Sequence, residues 1–319
     1  MKDGLSVLSV FDGMRCGLLA LNESKIKVDN YYFSEIDDNA IKTANLNLPG
    51  CIPVGDILGW RDWDIDWSSI DLLIGGSPCQ GFSAAGKRAG TKAEHDGDII
   101  IVDSREMYLD LKSKGANFLS HSYLFWEYVL LLDLIKSKNE SVIFLLENVK
   151  MSKNNNKMIT SALGVDPIFI NSDIITACSR PRLYWANFDI TKPQPSGVTF
   201  GDFVDYSSED NVMSDSWVKW WKANKEHQIK KGYSSIVKSN EKGRCMTARQ
   251  YASWNGNFIM TPSGRIRKPT KEELARLVGA PYNYFDSTTQ RQAEIMTGNG
   301  WSIPVISHIF KCINQSPQA

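Results

Sequence analysis

At 319 residues, with 42% hydrophobic and 23% charged content, the chain has the make-up of a soluble globular protein with room for one large domain and a smaller one, not of a disordered or fibrous chain. No apolar run nears the ~20 residues that a membrane span needs, and six cysteines without any C-x-x-C pair argue against a zinc site or a disulfide framework. The formal net charge is zero but unevenly spread, since 217–276 holds 14 basic and 4 acidic residues, which is the footprint of a polyanion-binding face on one part of a molecule. The start of the chain has no basic region or cleavage site ahead of its first apolar run, so a reduced, cytoplasmic setting is expected.

Taken in chain order, the first 190 residues alternate short apolar runs with helical patterns, which is the signature of βαβ units and a doubly wound α/β sheet. Ser6–Phe11 reads as the first strand, followed by a turn with Gly13 and Gly17 and a helix through Leu18–Leu21. Glycines there let the backbone approach a ligand at a helix N-terminus. Tyr31–Ser34 is the second strand and ends at Glu35, about 20 residues on, the place where an acid grips ribose hydroxyls. After a helix over Ala40–Leu46, a third strand ends at Val54 and Gly55. Asp56 is then placed to accept from an adenine amino group, with Ile36 and Ile57 packing the ring. No lysine or second glycine serves a pyrophosphate, so these residues describe a pocket for a nucleoside cofactor without phosphate.

Leu72–Ile74 is a central strand running through Gly75 and Gly76 into Ser77, Pro78, Cys79 and Gln80. Loops at the carboxyl ends of such strands carry ligands and chemistry, and a cysteine there acts as a nucleophile once its thiol is activated. Ser83 to Ser120 is too long for a plain loop and is expected to form a flap with a small hairpin or helix of its own. A helix from Tyr123 to Ile135, apolar on most faces, leads to the strand Val142–Leu146, after which come Glu147, Asn148 and Val149. Glu147 should face the same crevice as Cys79. A thiolate beside a carboxyl group suits a cytosine ring: the sulfur adds to C6, Glu147 bonds N3 and the exocyclic amine, and C5 becomes nucleophilic. Arg180 and Arg182 stand beside a strand through Leu183–Trp185. Arg182 is suited to hold O2 of the base and the thiolate, and Arg180 to orient the base or a flanking phosphate.

From Thr191 the alternation stops. Trp217, Trp220 and Trp221 share one helix face and read as a core stripe. A helix over Thr270–Gly279 and a closing apolar helix over Ser302–Phe310 follow, the second with Pro304 in its first turn.

These motifs resemble, in order and over nearly the whole chain, those of the DNA (cytosine-5)-methyltransferases: Phe11-Asp12-Gly13 with Gly17, Ser77-Pro78-Cys79-Gln80-Gly81-Phe82-Ser83, Glu147-Asn148-Val149, Arg180-Pro181-Arg182 and Gly298-Asn299-Gly300-Trp301. Phe11–Gly17, Leu183-Tyr184-Trp185 and Trp301–Val305 are similar to the animal de novo enzymes, and Gln80–Ser83 to the bacterial and phage ones. The resemblance implies a Rossmann-like S-adenosylmethionine-dependent sheet over 1–188 and 287–319, and a smaller target-recognition domain over 189–286. It also implies a cytosine flipped out of double-stranded DNA and methylated at C5. Cys79 is then the nucleophile and Glu147 the acid, with Arg180 and Arg182 in the base pocket. Phe11, Asp12, Gly13, Glu35, Ile36, Asp56, Ile57, Pro78, Leu124, Asn299 and Trp301 would line the cofactor. No metal or membrane is implied, a monomer is expected, and any cognate restriction endonuclease acts separately.

Two departures stand out. Cys178 replaces a glutamine usual in most bacterial members, and Thr191–Arg265 matches no motif of the family. Arg265, Thr270, Glu272 and Arg276 resemble a motif that supports the recognition domain. Arg244, Arg249, Arg265 and Arg267 are the candidate base readers, because arginine to guanine is the commonest specific contact. Other substrates and roles compete with duplex DNA: a tRNA cytosine, which a close relative of this family methylates, a nucleotide in the manner of thymidylate synthase, and a DNA-binding homologue without catalysis. The basic region favours duplex DNA, the adenosine pocket goes against the nucleotide, and the intact Cys79, Glu147, Arg180 and Arg182 go against the silent homologue.

Overall fold

The structure, a computed structural model, describes residues 4–82, 90–231, 234–252 and 254–313. Ser83 of the cysteine motif and the first residues of the expected flap, through 89, lie outside the described residues. The chain opens with β1 (Leu5–Val10), α1 (Cys16–Glu23), β2 (Val28–Ser34), α2 (Asp38–Asn47), the two-residue β3 (Ile52–Pro53) and β4 (Leu72–Gly75). β1 and β4 are buried along almost their whole length, as apolar runs at the centre of a parallel sheet must be. Asp37 caps α2 by accepting from the Asn39 and Ala40 amides at 2.9 and 3.2 Å.

The expected flap holds a hairpin, β5 (Lys92–His95) with β6 (Asp98–Ile101), then α3 (Arg105–Ser113) and β7 (Asn117–Phe118), which pairs back on β5. One buried carboxylate fastens it to the large domain. Glu127 accepts from Tyr108 Oη at 2.5 Å and Trp60 Nε1 at 2.7 Å, and also meets Lys112 and Arg61. Without those partners a buried carboxylate would be costly.

α4 (Leu124–Lys138), β8 (Ile143–Val149), α5 (Lys153–Leu163), β9 (Ile168–Asn171) and β10 (Pro181–Ala186) complete the large sheet. Its strand order is β3-β2-β1-β4-β8-β10-β9, with β1 to β4 and β8 parallel and β10 antiparallel to both its neighbours. The order reverses between β1 and β4, and the crevice beyond their carboxyl ends is where such sheets bind ligands.

Beyond the sheet lie α6 (Asp215–Lys231) and a three-stranded sheet of β11 (Ser234–Ile236), β12 (Gly256–Met260) and β13 (Ile266–Arg267). Trp217 and Trp221 pack on Phe258 and Ile266, but Trp220 is 37% exposed, so the tryptophan stripe is a pair in the core and one ring at the surface. α7 (Lys271–Val278), α8 (Gln290–Asn299) and α9 (Ile303–Ile313) return to the large sheet, where α9 packs on α1. A capping box joins Thr270 and Glu273 at the start of α7. An ion pair there joins Arg267 to Glu273, at 2.7 and 2.8 Å. Arg265 pairs with Glu209 at the surface. Arg267 is fully buried, which removes it from the candidate base readers. Among the described residues no helix is long and apolar enough to cross a membrane, and no cluster of His, Cys, Asp or Glu is placed to hold a metal ion.

Candidate active site

A cavity of about 370 Å³ opens at the point where the strand order reverses, and every catalytic and cofactor residue expected from the sequence lines it, while the candidate base readers Arg244, Arg249, Arg265 and Arg267 do not. One end is built from backbone turns. After β1, Phe11, Gly13 and Arg15 all adopt left-handed backbone, with φ of 58, 56 and 57°. Such a conformation costs a non-glycine residue about 1 kcal/mol or more, and the surroundings hold it in place. Glu35 ties the turn at Gly13, whose amide donates to Oε2 at 2.7 Å, and its Oε1 accepts from the Ile36 and Asp37 amides at 2.7 and 2.9 Å. Of the roughly four acceptor sites on a carboxylate, one is left for a ligand hydroxyl. Asp56 caps the 3-10 turn Ile57–Asp62 through the Leu58 amide at 3.0 Å. Ile36 is 73% exposed at the rim beside buried Ile57, two apolar faces set to sandwich a flat ring.

Gly17 is required by packing, because a Cβ there would sit 2.4 Å from Ile74 Cδ1. Arg15 was not singled out from the sequence. It is fully buried, donates to Leu48 O at 2.8 Å and Asn45 Oδ1 at 2.6 Å, and lies over the Phe33 ring, so its charge is turned away from any phosphate. Asp12 accepts from Tyr31 Oη at 2.7 Å, while its Oδ2, 3.4 Å from Arg15 Nε, has no hydrogen-bond partner. Burial pushes the Asp12 carboxyl up to about 6, against the pull of Ser9, Tyr31 and Arg15.

The other end is built from cross-linked side chains. The loop after β4 is pinned by Ser122, whose hydroxyl accepts from the Gly81 amide and donates to Pro78 O, both at 2.9 Å. Asn148 Nδ2 adds bonds to Ser77 O and Oγ at 3.2 and 3.0 Å. These fix the backbone on both sides of Cys79. Burial and then the Glu147 carboxylate push the Cys79 thiol above the ordinary cysteine range, opposed by Arg182 and Arg180. Cys79 therefore rests as a thiol.

β8 runs further than the apolar pattern indicates. Glu147 lies inside it, opposite Tyr184 of β10, rather than just past its end. The antiparallel register sets Arg182 two residues along, and its Nε reaches Glu147 Oε1 at 2.6 Å in ion-pair contact without hydrogen-bond alignment. Trp301 Nε1 donates to Glu147 Oε2 at 3.1 Å. Gly76 leaves room for that contact, since a Cβ there would meet Trp301 Nε1 at 2.8 Å. Leu124, Pro78 and Asn299 complete the wall between the two ends. Arg180 lines the cavity too, but its NH1 and NH2 donate to backbone carbonyls of Met246, Gly298 and Asn299.

The model of the family of C-5 cytosine-specific DNA methylases matches residues 5–103 and 183–315. The chain belongs to that family. Among curated relatives, the type II methyltransferase M1.ScrFI of Lactococcus lactis subsp. cremoris is 27% identical over 333 residues, covering 95% of this chain and 76% of that protein. The type II methyltransferase M.NlaX of Neisseria lactamica is also 27% identical, covering 95% of this chain and 94% of its own length. Two solved structures share the fold of this C-5 cytosine methylase over 98% of the chain. S. pombe Dnmt2 methyltransferase does so with a TM-score of 0.66 at 17% identity and 98% of its own chain. The Entamoeba histolytica methyltransferase EhMeth does so with 0.68 at 17% identity and 99% of its own chain.

Proposed function

We propose that this methylase transfers a methyl group from S-adenosylmethionine to C5 of a cytosine flipped out of duplex DNA, with Cys79 as nucleophile. The observation that carries the reading is the single cavity that joins a phosphate-free nucleoside site to Cys79 and the Glu147–Arg182 pair. The residues present fit the cofactor. Asp12 Oδ2, which takes no hydrogen bond and meets only Arg15 Nε at 3.4 Å, suits a cationic group, the remaining acceptor site of Glu35 suits a ribose hydroxyl, Asp56 suits the adenine amine, and Ile36 and Ile57 suit its faces. When bound, S-adenosylmethionine supplies the methyl group as an electrophile.

A base inside the stack cannot be attacked at C6, so the cytosine must leave the duplex to reach Cys79. As Sγ bonds to C6, ring electrons move toward C5 and N3, and the proton that the thiol gives up is returned at N3 through the Glu147 carboxyl group. Glu147 meets N3 and the exocyclic amine, and Arg182 holds both Glu147 and the base O2, so the shifting charge falls on groups already in place. C5 takes the methyl group and S-adenosylhomocysteine is released; the C5 proton then passes to solvent water, its bonding pair restores the C5–C6 double bond, and the S–C6 pair returns to sulfur. Residues 1–188 and 287–319 do this chemistry, and the basic 189–286 segment reads the DNA. The type II names of the relatives suggest a partner restriction endonuclease acting on the same sequence, and a cytoplasmic site of action.

The test is methyl transfer from tritiated S-adenosylmethionine to unmethylated genomic DNA, a tRNA pool and deoxycytidine monophosphate in parallel, with Cys79→Ser as control. Label in DNA that falls at least ~10³-fold in the variant is expected, since an alcohol has no comparable anion at neutral pH. Label in tRNA alone would reassign the substrate, and full turnover by the variant would remove the covalent step.

A further inference from the structure

We infer that Arg180 latches the loop of residues 246–252 to the cofactor end of the cavity, so that filling the nucleoside site orders that loop before DNA arrives. The inference rests on the cofactor reading above. Arg180 is 8% exposed, and its guanidinium bridges two segments far apart in sequence. NH1 donates to Met246 O and to Gly298 O, each at 3.2 Å, and NH2 to Asn299 O at 3.4 Å. Met246 begins the loop. Gly298 and Asn299 end α8 and lead straight into Trp301, which lines the cavity and bonds Glu147.

The loop's inner edge is clamped along its length. Gln250 Nε2 donates to Glu294 O at 2.7 Å and Thr297 Oγ1 at 2.9 Å, and Lys268 Nζ reaches Gln250 O and, at 3.1 Å, Ala252 O. At Gly298 the two backbones touch so closely that a Cβ would lie 2.1 Å from the Thr247 carbonyl carbon. Its outer edge is of another kind. Arg249 lies over Trp254 at 5.4 Å, and Arg291 lies over the ring of Tyr251, itself 40% exposed, at 4.5 Å. Cations and exposed rings on one edge suit phosphates and unstacked bases. Arg180 is thus a positioning residue: among the described residues it has no carboxylate partner, and it acts through the carbonyls it gathers. Whatever steadies Asn299–Trp301 steadies Met246 through it, and by reciprocity DNA on the loop tightens cofactor binding by the same factor.

Hydrogen exchange on the full chain tests this, with S-adenosylhomocysteine as probe and no DNA present. In the unmodified protein the probe should slow exchange of the loop amides by roughly fivefold or more, alongside the Gly13 and Ile36 amides of the cavity. In Arg180→Gln the cavity protection should persist while the loop protection disappears. Arg180→Lys, which keeps the charge without the fork, should retain part of it, and it decides the matter if exchange in β1 and β4 shows the glutamine variant unfolded. Equal loop protection in the variants and the unmodified protein would overturn the inference, as would an unprotected loop beside a protected cavity. Protection at neither place would overturn the cofactor reading itself, and the latch with it.

Discussion

The two ends of the cavity are made by different means. At the end proposed to take the nucleoside the contacts are many and small, with a turn of three left-handed residues tied through Gly13 to Glu35, which also accepts from the Ile36 and Asp37 amides. At the end proposed to take the base, the chemistry would rest on a few atoms, Cys79 Sγ and the two oxygens of Glu147, of which Oε1 meets Arg182 and Oε2 meets Trp301. The first construction spreads affinity over many contacts, so single substitutions should produce graded losses. The second concentrates transition-state stabilisation, so single substitutions should nearly abolish turnover while leaving the other end intact.

Glu147→Gln is the sharpest way to break that contrast. It keeps the shape but gives up the carboxyl group that passes a proton to N3 and pairs with Arg182. Turnover should fall by ~10²–10⁴-fold, with S-adenosylhomocysteine affinity by calorimetry unchanged. A matching loss of affinity would mean the two ends are one unit.

Asp12→Asn asks how much strain the nucleoside end stores. The Asp12 carboxyl rises from its ordinary value of 3.8 to about 6 because burial disfavours its charge. A raised folded value means that the favourable contribution is complete below pH 3.8 and is lost as pH rises through about 6. The ionised form then costs of order 3 kcal/mol. The asparagine variant resembles the protonated form at every pH, so its stability relative to the unmodified protein should climb by that amount between pH 4 and 7. Urea unfolding at the two pH values measures it, and parallel curves would show that Asp12 sits there without cost.

How far this architecture was legible in the sequence follows the same division. Central strands such as β1 and β4 are buried on both faces, so their apolar runs and terminal glycines announce both the element and the loop that carries Cys79. The place of Glu35 and Asp56 on the cavity was readable because Glu35 directly follows β2 and Asp56 lies three residues past β3. β8 was read as ending at Leu146 because Glu147 and Asn148 look like loop residues. They are tolerated inside a strand since Trp301, Arg182 and Ser77 satisfy them from elements far along the chain. Arg267 was weighed as a base reader for a related reason: nothing local reveals that Glu273 neutralises it in the interior. Ser122 and Arg15 escaped notice because a serine before a helix and an arginine in a glycine turn carry no pattern until their partners are brought beside them.

Glu35→Ala should give the graded loss expected of the nucleoside end, about 1–3 kcal/mol of S-adenosylhomocysteine affinity. Three amides lose their acceptor together, so exchange at Gly13, Ile36 and Asp37 should quicken as well. Unchanged affinity would take Glu35 out of the ribose site and leave it only the holding of the turn.

Trp301→Phe probes the seam between the two ends. The ring lines the cofactor cavity, while its N–H serves Glu147, so phenylalanine keeps an aromatic wall and removes a single hydrogen bond to a charged group. That bond is worth about 1.5–3 kcal/mol when the acceptor is ionised, but Arg182 still holds the other oxygen at 2.6 Å, which should limit the loss to the lower end. Turnover is therefore expected to drop roughly tenfold, with the KM for the cofactor nearly constant. A rise in KM with turnover unchanged would assign Trp301 wholly to the nucleoside end. Its contact with Glu147 would then be incidental to catalysis, and the base end would depend on Arg182 alone for the orientation of its acid.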